Sequence, residues 1–183
     1  MIEGGGLGTF DPKDIGPAEM HYTNGHLDFL ADDEAEATAI TKKLLSYFQG
    51  AKKDWEEKDQ TPLRTMIPED RRKGFPVRDI LNTVADENSF LEMKKIFGRS
   101  VITGFMRIEG RPFALLANDC QQLGGAIDSS AADKAANFIE ICSAHGLPML
   151  SFVDTPGFMV GPDSEKEGAF RRMGALFKHG ARI

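Results

Sequence analysis

The order of elements between residues 100 and 153 restricts the fold more than any other feature of the sequence. Two runs rich in β-branched and apolar residues, 100–108 and 111–117, flank the dipeptide Glu109-Gly110 and predict a β-hairpin. A loop at 121–125 follows, and its adjacent glycines interrupt regular structure. The sequence therefore predicts two paired strands that lead into a flexible turn.

A helix and a further strand follow this turn. The helix begins within 130–133, carries apolar residues on one face and ends before Gly146 and Pro148. The uninterrupted apolar run 149–153 predicts a strand that is buried on both faces. Units of two strands and one helix indicate an α/β fold built as a coiled ββα stack, and they favour it over a doubly wound sheet.

The first thirty residues are rich in turn signals. The Asn24-Gly25 dipeptide is typical of a tight hairpin turn. We therefore predict two short strands around it, at 19–23 and 26–29.

A helix capped by Asp32 or Asp33 extends to about residue 48, because apolar residues recur there at three- and four-residue spacing. Residues 51–75 are dense in charge, contain two prolines and lack periodicity, which predicts a linker between domains. The basic run 71–73 within it is compatible with a phosphate contact or with a solvated loop.

Three more helices are predicted in the second half. Pro76 lies at the first turn of a short amphipathic helix. Residues 89–92 have the form of a capping box, which predicts a second helix that ends at Gly98. The third is capped by Ser164 with Glu167, and its apolar face consists of Phe170, Met173 and Phe177.

Composition excludes several classes of protein. The net charge of -6 argues against a surface that neutralises nucleic-acid phosphates. The two cysteines, Cys120 and Cys142, form no CxxC pair, so buried structural thiols are favoured over a disulfide framework or a zinc site. No apolar run approaches the roughly 20 residues that span a bilayer, and no signal peptide is evident. These features predict a cytoplasmic protein.

The adjacent glycines Gly124 and Gly125 are the strongest candidates for chemistry. Glycines let a backbone approach a ligand closely and present its N–H groups, which is how an oxyanion hole is built. One such donor is worth roughly 3–4 kcal/mol toward a developing enolate. A plain turn between strand and helix explains the same residues equally well.

A second loop, 154–161, follows the predicted strand 149–153. Asp154 ends a strand and precedes a rigid Pro156-Gly157 turn that exposes Phe158, which is typical of a ligand-facing loop. The alternative for Asp154 is an Asx-turn, and we favour it over a catalytic role.

The four histidines show no metal-ligand spacing, and no GxSxG, P-loop lysine or HExxH motif occurs. His145 and His179 lie at predicted helix ends, where the helix dipole explains them. No side-chain acid, base or nucleophile stands out. This pattern fits chemistry in which backbone amides stabilise an oxyanion.

Taken in order, these residues resemble the carboxyltransferase subunits of biotin-dependent acetyl- and propionyl-CoA-type carboxylases. The resemblance covers almost the whole chain, and its strength lies in the order and spacing of many short stretches. These stretches are 2–10, 14–17, 33–37, 44–50, 77–80, 89–92, 124–128, 134–139 and 148–161.

The resemblance implies a crotonase-like fold, here incomplete, with two such domains per subunit and an active site between domains of different subunits. It implies that the second domain receives carboxybiotin, with the ureido oxygen in an oxyanion hole partly made by Leu123, Gly124 and Gly125. By the same resemblance Gly157 and Phe158 line the site. The implied reaction moves a carboxyl group from carboxybiotin to the α-carbon of an acyl-CoA.

The same resemblance divides the chain. Residues 1–50 match the end of the first domain, 51–75 the linker and 76–183 the start of the second, biotin-side domain. Both ends look cut, so the chain is expected to be a fragment without turnover of its own. The implied partners are biotin carboxyl carrier and biotin carboxylase subunits and further copies of the chain, with no metal, nucleic acid or membrane span.

Two other readings remain open at this point. One is a truncated assembly module that catalyses nothing. The other is a crotonase-like enzyme that acts on CoA thioesters without biotin. The sequence does not identify the acyl chain, and it does not separate a carboxylase from a decarboxylase-type complex.

Overall fold

A computed structural model describes residues 3–70 and 72–183. Its centre is a four-stranded sheet in the order β1-β2-β3-β4. The first three strands are antiparallel and β4 runs parallel to β3. The strands are β1 Leu91–Met93, β2 Val101–Ile108, β3 Arg111–Asn118 and β4 Met149–Phe152.

The predicted hairpin is confirmed. β2 and β3 pair along their whole length, and Glu109 and Gly110 form the two-residue turn with φ of 51° and 74°. Left-handed conformations at both turn residues match the right-handed twist of the strands. The buried carboxylate of Asp86 accepts hydrogen bonds from the N–H groups of Glu109 (2.9 Å) and Gly110 (2.7 Å), which satisfies both amides.

The predicted helix after the glycine loop is also confirmed, as α5 Ser129–Ala144. Its N-cap is Asp128, whose side chain accepts a hydrogen bond from the Ala131 N–H at 2.7 Å. One face, which includes Ala135 and Phe138, is buried against the sheet. Small residues on this face let the helix lie close to the strands.

The helices besides α5 are mostly short. They are α1 Ala18–Thr23, α2 Glu34–Ser46, α3 Leu63–Met66, α4 Val77–Val84, α6 Pro162–Lys166 and α7 Ala169–Gly180. Asp33 caps α2, as predicted, and a 3-10 turn, Tyr47–Gln49, follows it. Pro76 precedes α4 directly, also as predicted.

The predicted strand at 149–153 exists, but its predicted burial on both faces is wrong. β4 is an edge strand of the sheet, with β3 as its neighbour on one side. Ser151 and Val153 are exposed, and Phe152 is half-buried. A continuous apolar run marks a strand that packs on both faces only when neighbours cover both.

The predicted hairpin around Asn24-Gly25 is wrong. Residues Ala18–Thr23 form α1, and the Asn24 N–H donates to the Met20 carbonyl at the end of this helix. Gly25 adopts a φ of 79°, the left-handed conformation that ends many helices. The same dipeptide that favours a hairpin turn therefore serves here as a helix C-terminus.

The predicted helix from residue 89 to Gly98 is wrong as well. Leu91–Met93 forms β1 and pairs with β2. The Ser89 hydroxyl accepts a hydrogen bond from the Arg107 N–H at 3.1 Å instead of capping a helix. Pairing with a neighbouring strand has overridden the local capping signal.

The last predicted helix is divided in two. Gly168, with a φ of 76°, separates α6 from α7, and Ser164 lies inside α6 instead of capping the longer helix. Phe170 and Phe177 are 78% and 67% exposed, so the predicted apolar face is not buried in this chain. The inner side of α7 packs on α5 through residues such as Ala169 and Leu176.

The segment before the predicted linker packs into the same core as the sheet. Tyr47 is 1% exposed, and its ring stacks on Phe105 with centroids 5.3 Å apart. The Arg107 guanidinium donates to the carbonyls of Ser46 (2.7 Å) and Gly50 (3.0 Å). The division at 51–75 stays a prediction, and Met1, Ile2 and Arg71 lie outside the described residues.

Candidate functional site

The candidate site begins where β3 ends at Asn118. The chain then turns through a 3-10 element, Leu123–Gly125, in which all three residues have positive φ: 51°, 61° and 80°. Glycine adopts this conformation without strain, whereas Leu123 is held in it. The loop is therefore a shaped segment and not a simple connection.

Asp119 organises the first half of this loop. Its carboxylate accepts a hydrogen bond from the Gln121 N–H at 3.1 Å, and its carbonyl accepts one from the Gln122 N–H at 2.9 Å. Arg78 on α4 pairs with the buried Asp119 carboxylate at 2.5 Å and with Glu92 at 2.7 Å. Hydrogen bonds to Glu92 and then to Asp119 raise the pKa of Arg78, although burial opposes this.

Gly125 makes the closest approach between the two candidate loops. A Cβ at this position would overlap the carbonyl oxygen of Asp154. Its N–H donates to the Gln122 carbonyl at 2.8 Å within the turn. No oxygen of residues 3–70 or 72–183 accepts a hydrogen bond from the N–H of Gly124.

The second loop, 154–161, is joined to the first by backbone hydrogen bonds. The Ile127 N–H donates to the Gly157 carbonyl at 3.0 Å, and the Met159 N–H donates to the Ile127 carbonyl at 2.9 Å. Gly157 has a φ of 122°, and its N–H donates to the Thr155 hydroxyl at 3.0 Å. The two loops that the sequence marks separately therefore form one unit.

Asn118 also connects the two loops. Its side-chain amide donates to the Gly125 carbonyl at 3.3 Å and accepts from the Asp154 N–H at 3.3 Å. The residue is 8% exposed.

A cleft of about 680 Å³ lies beside this unit. Part of the lining comes from the sheet and the loops, with Asn118, Gly124 and Asp154. The rest comes from the segment before α4 and from α4 itself, and both parts include apolar side chains. The other lining residues are Ile67, Pro68, Arg72, Lys73, Gly74, Phe75, Val77, Ile80, Cys120, Phe152 and Val153.

The structure separates the predicted site residues. Gly124 lines the large cleft, whereas Leu123 is 53% exposed and lines a smaller, more polar cleft of about 400 Å³. Among the described residues, Gly157 and Phe158 are not part of the wall of the large cleft. The Phe158 ring packs edge-on against Phe177 at 5.5 Å. Contacts of Leu123, Gly157 and Phe158 with a ligand stay predictions.

Several cleft residues were not among the predicted site residues. Asn118 is the last residue of the strand that precedes the glycine loop, which is the one signal that pointed to it. The basic residues Arg72 and Lys73 belong to the predicted linker but lie at the cleft. Their position depends on a fold of the linker that no periodicity reveals.

The two cysteines differ. Cys142 is buried, as predicted, and burial raises the pKa of its thiol to about 12. Cys120 is half-buried and lines the cleft, so its predicted burial is wrong. Its sulfur accepts a hydrogen bond from the Phe75 N–H at 3.3 Å, which ties the linker wall to the loop.

Lys134 is a buried cation on α5 under the loop. It is 1% exposed, and its Nζ donates to the Val101 carbonyl at 2.7 Å. Burial lowers the pKa of this amine to about 8. At neutral pH the buried ammonium therefore destabilises the folded state.

Residues 6–181 match the family model described as the carboxyl transferase domain. The chain belongs to this family. This carboxyl transferase domain is 36% identical over 183 residues to an uncharacterized carboxylase, YngE, of Bacillus subtilis, with 93% of the chain and 34% of that protein covered. It is 33% identical over 181 residues to the methylmalonyl-CoA carboxyltransferase 12S subunit of Propionibacterium freudenreichii, with 93% and 33% covered.

Solved structures of carboxylases and transcarboxylases are similar to this chain as well. A single-chain, multi-domain long-chain acyl-CoA carboxylase superposes with a TM-score of 0.96 at 44% identity, covering 100% of this chain and 19% of that one. The transcarboxylase 12S hexamer core superposes with a TM-score of 0.85 at 31% identity, covering 97% and 36%. The predicted crotonase-like α/β fold is confirmed by these neighbours.

The chain spans about a third of the length of the curated relatives it matches. A relative from Haloferax mediterranei, the propionyl-CoA carboxylase carboxyltransferase subunit, is 34% identical with 96% of the chain and 34% of that protein covered. In the part of the chain that the structure describes, no helix is both long enough and apolar enough to cross a bilayer.

Proposed function

We propose that this carboxyl transferase domain acts within a biotin-dependent carboxyltransferase that moves a carboxyl group from carboxybiotin to the α-carbon of an acyl-CoA. The domain forms the biotin side of the site. The acyl-CoA side belongs to segments that the relatives contain and that this third of their length does not match.

One observation carries this proposal: Gly124 lines the cleft of about 680 Å³, and its N–H donates to no oxygen of residues 3–70 or 72–183. Gly124 is exposed, so its unpaired N–H is accessible to a ligand, and an accessible backbone donor beside a partly apolar cleft fits the oxygen of a neutral ring that gains negative charge during transfer. Phe152 and Val77 in the same cleft suit the apolar part of such a ring system.

The two glycines take different roles in this proposal. Gly124 donates its N–H to the ureido oxygen. Gly125 provides the close approach to Asp154 that shapes the turn, because its own N–H is engaged by Gln122 at 2.8 Å. Leu123 opens the turn in a left-handed conformation, and the segment with Gly157 and Phe158 supports the turn from the second loop.

Bound carboxybiotin supplies the carboxyl group that the acyl-CoA receives. The chain binds the ureido ring, orients its oxygen toward the Gly124 N–H and stabilises charge that develops there. A backbone N–H that already points at the oxygen lowers the activation barrier, because it does not have to reorient when negative charge develops there. Among the described residues that line the cleft with Gly124, Asp154 is the one carboxylate.

The proposal also covers the partners, the domain division and the location of the protein. Biotin carboxyl carrier and biotin carboxylase units deliver the carboxyl group, and copies of the subunit associate, as in the hexamer of the 12S structure. The division into 1–50, 51–75 and 76–183 and a cytoplasmic location belong to the same proposal. The chain by itself is expected to lack carboxyl transfer, because about two thirds of the relatives' length is unmatched.

Binding of a biotin amide to the ¹⁵N-labelled chain tests the site. We expect the Gly124 amide resonance to shift with saturation. The matched probe is 2-iminobiotin, in which an N–H group replaces the ureido oxygen, and we expect no comparable shift at Gly124. Equal shifts with both probes, or shifts confined to residues remote from the cleft, would contradict the assignment.

A transfer assay tests the activity. The chain alone, with carboxybiotin on a carrier domain and ¹⁴C in the carboxyl group, should form no labelled acyl-CoA product. A homologous full-length carboxyltransferase in the same assay shows that the reagents are competent. Robust labelling of malonyl- or methylmalonyl-CoA by the chain alone would overturn the expectation of inactivity.

A further inference from the structure

We propose that Asn118 is a positioning residue that locks the glycine turn to the second loop and so fixes the Gly124 N–H in the cleft. This inference rests on the proposed function for the identity of the ligand. The lock itself is a property of the fold and can be measured without ligand.

The two groups of the Asn118 amide are used in opposite directions. The NH2 group donates to the Gly125 carbonyl, and the carbonyl oxygen accepts from the Asp154 N–H, each at 3.3 Å. An amide is the side chain that offers one acceptor and a donor on the same planar group. The two partners fix the orientation of the amide. Rotating it by 180° would place its NH2 group against the Asp154 N–H and its oxygen against the Gly125 carbonyl.

The Asn118 amide attaches the glycine turn at Gly125 itself, whereas the backbone bonds of Ile127 to the second loop lie two residues further along the chain. Gly124 has open space around the position of a Cβ, so packing does not restrain it. The hydrogen bond from Gly125 to Gln122 and those to Asp119 are local and shape the turn without attaching it to the second loop. Glycine pairs have wide conformational freedom, and an anchored Gly125 carbonyl removes much of it next to Gly124.

The position of Asn118 on the sheet makes the lock rigid. It is the last residue of β3, pairs with Val101 in β2 and is 8% exposed. Its side chain therefore holds both loops at a fixed place relative to the strands. Of the two partners, Asp154 follows β4 closely, so the lock sits where two parallel strands end.

The variant N118D separates this role from general packing. At neutral pH the new carboxylate keeps an acceptor for the Asp154 N–H but repels the Gly125 carbonyl. When protonated, the carboxyl again offers one donor and one acceptor and matches the amide. Lowering the pH should therefore repair the lock in N118D, whereas the wild-type lock does not depend on this ionisation.

The experiment records ¹⁵N-HSQC spectra of the 183-residue chain and its variants from pH 8 to pH 5, with and without a biotin amide. At pH 8 we expect N118D to shift the Gly124, Gly125 and Asp154 amides together and to weaken biotin binding about tenfold, the effect of one lost hydrogen bond. Position 118 is buried, and burial raises the pKa of the carboxyl that N118D introduces above its ordinary value of about 4, so both properties should move toward wild type as the pH falls to 5.

Thr103→Val is the matched control. Thr103 is also buried on the sheet and donates from its hydroxyl to the Met93 carbonyl at 3.3 Å. The variant loses a comparable side-chain hydrogen bond away from the loops. We expect a similar loss of stability with unchanged Gly124 and Asp154 amides and unchanged biotin affinity.

The outcomes are distinct. Loop amides that respond no more to N118D than to T103V overturn the lock. A response without recovery at a pH where the ¹³C shift of the introduced carboxyl shows it to be protonated also overturns it. If N118D shifts the loop amides together but the wild-type chain binds no biotin, the lock stands and the proposed ligand is wrong. If N118D does not fold, the wild type still decides, because absent NOEs between the Asn118 side-chain NH2 and the Gly125 and Asp154 backbone protons refute the contact.

Discussion

The carbonyl oxygen of Asp154 occupies the space that a side chain on Gly125 would need. This contact joins two loops that are distant in sequence and sets the shape of the glycine turn beside the cleft. Gly124, its neighbour, has similar backbone angles and open space instead.

This contrast predicts different costs for two alanine variants. G124A should lower the free energy of unfolding by about 1 kcal/mol, the strain of a left-handed alanine. G125A should lower it by about 3 kcal/mol, because overlap with Asp154 adds to the same strain. Urea denaturation of the two variants measures the difference. Equal costs would mean that the two loops do not touch as described.

The sequence predicted the elements around this contact but not the contact. The hairpin turn and α5 were predictable because strand alternation, turn glycines and a capping aspartate are local signals. The approach of Gly125 to Asp154 depends on β4 pairing in parallel with β3, which is a long-range event. The errors at 19–23 and 89–98 have the same origin, since local signals there yield to the contacts of the folded chain.

A second prediction concerns Asp86, which supports the hairpin turn. D86A leaves the N–H groups of Glu109 and Gly110 without their buried acceptor, and we expect a loss of about 2–4 kcal/mol in unfolding free energy. Denaturation at pH 7 measures it. The matched control is D70A, which removes a surface carboxylate paired with Arg72 and should change stability far less than D86A. Similar losses for both variants would contradict the role of Asp86.

A third prediction concerns the buried amine of Lys134: the free energy of unfolding should rise as the pH increases above neutral. Burial lowers the pKa of its amine to about 8 in the folded chain, below its ordinary value of 10.5. Between these two values the unfolded chain binds the extra proton, so unfolding becomes less favourable as the pH rises. Relative to K134M, the wild type should gain about 2–3 kcal/mol between pH 7.5 and 10.5.

Lys42 is the matched control for this pH dependence, because it is exposed on α2. K42M should follow the wild-type profile across the whole range in denaturant titrations. A wild-type profile parallel to that of K134M would show that the Lys134 amine is not held in an apolar setting.

A fourth prediction concerns Arg78, the cation of the buried ion network beneath the glycine loop. The side chains of Asp119 and Glu92 are 1% and 8% exposed, and Arg78 pairs with both. R78M leaves two buried carboxylates without their cation, so we expect a loss of about 3–5 kcal/mol at pH 7. Urea denaturation of R78M and of the wild type at pH 7 measures this loss.

The double variant R78M/D119N completes this test. It removes one of the two unpaired charges, so it should recover part of the stability lost in R78M at pH 7. The Gly124 amide resonance is a second measurement, because Asp119 also accepts hydrogen bonds from Gln121 and Gln122 in the same loop. A double variant as unstable as the sum of the two single variants would show that Arg78 and Asp119 act independently, and the ion network would not support the loop.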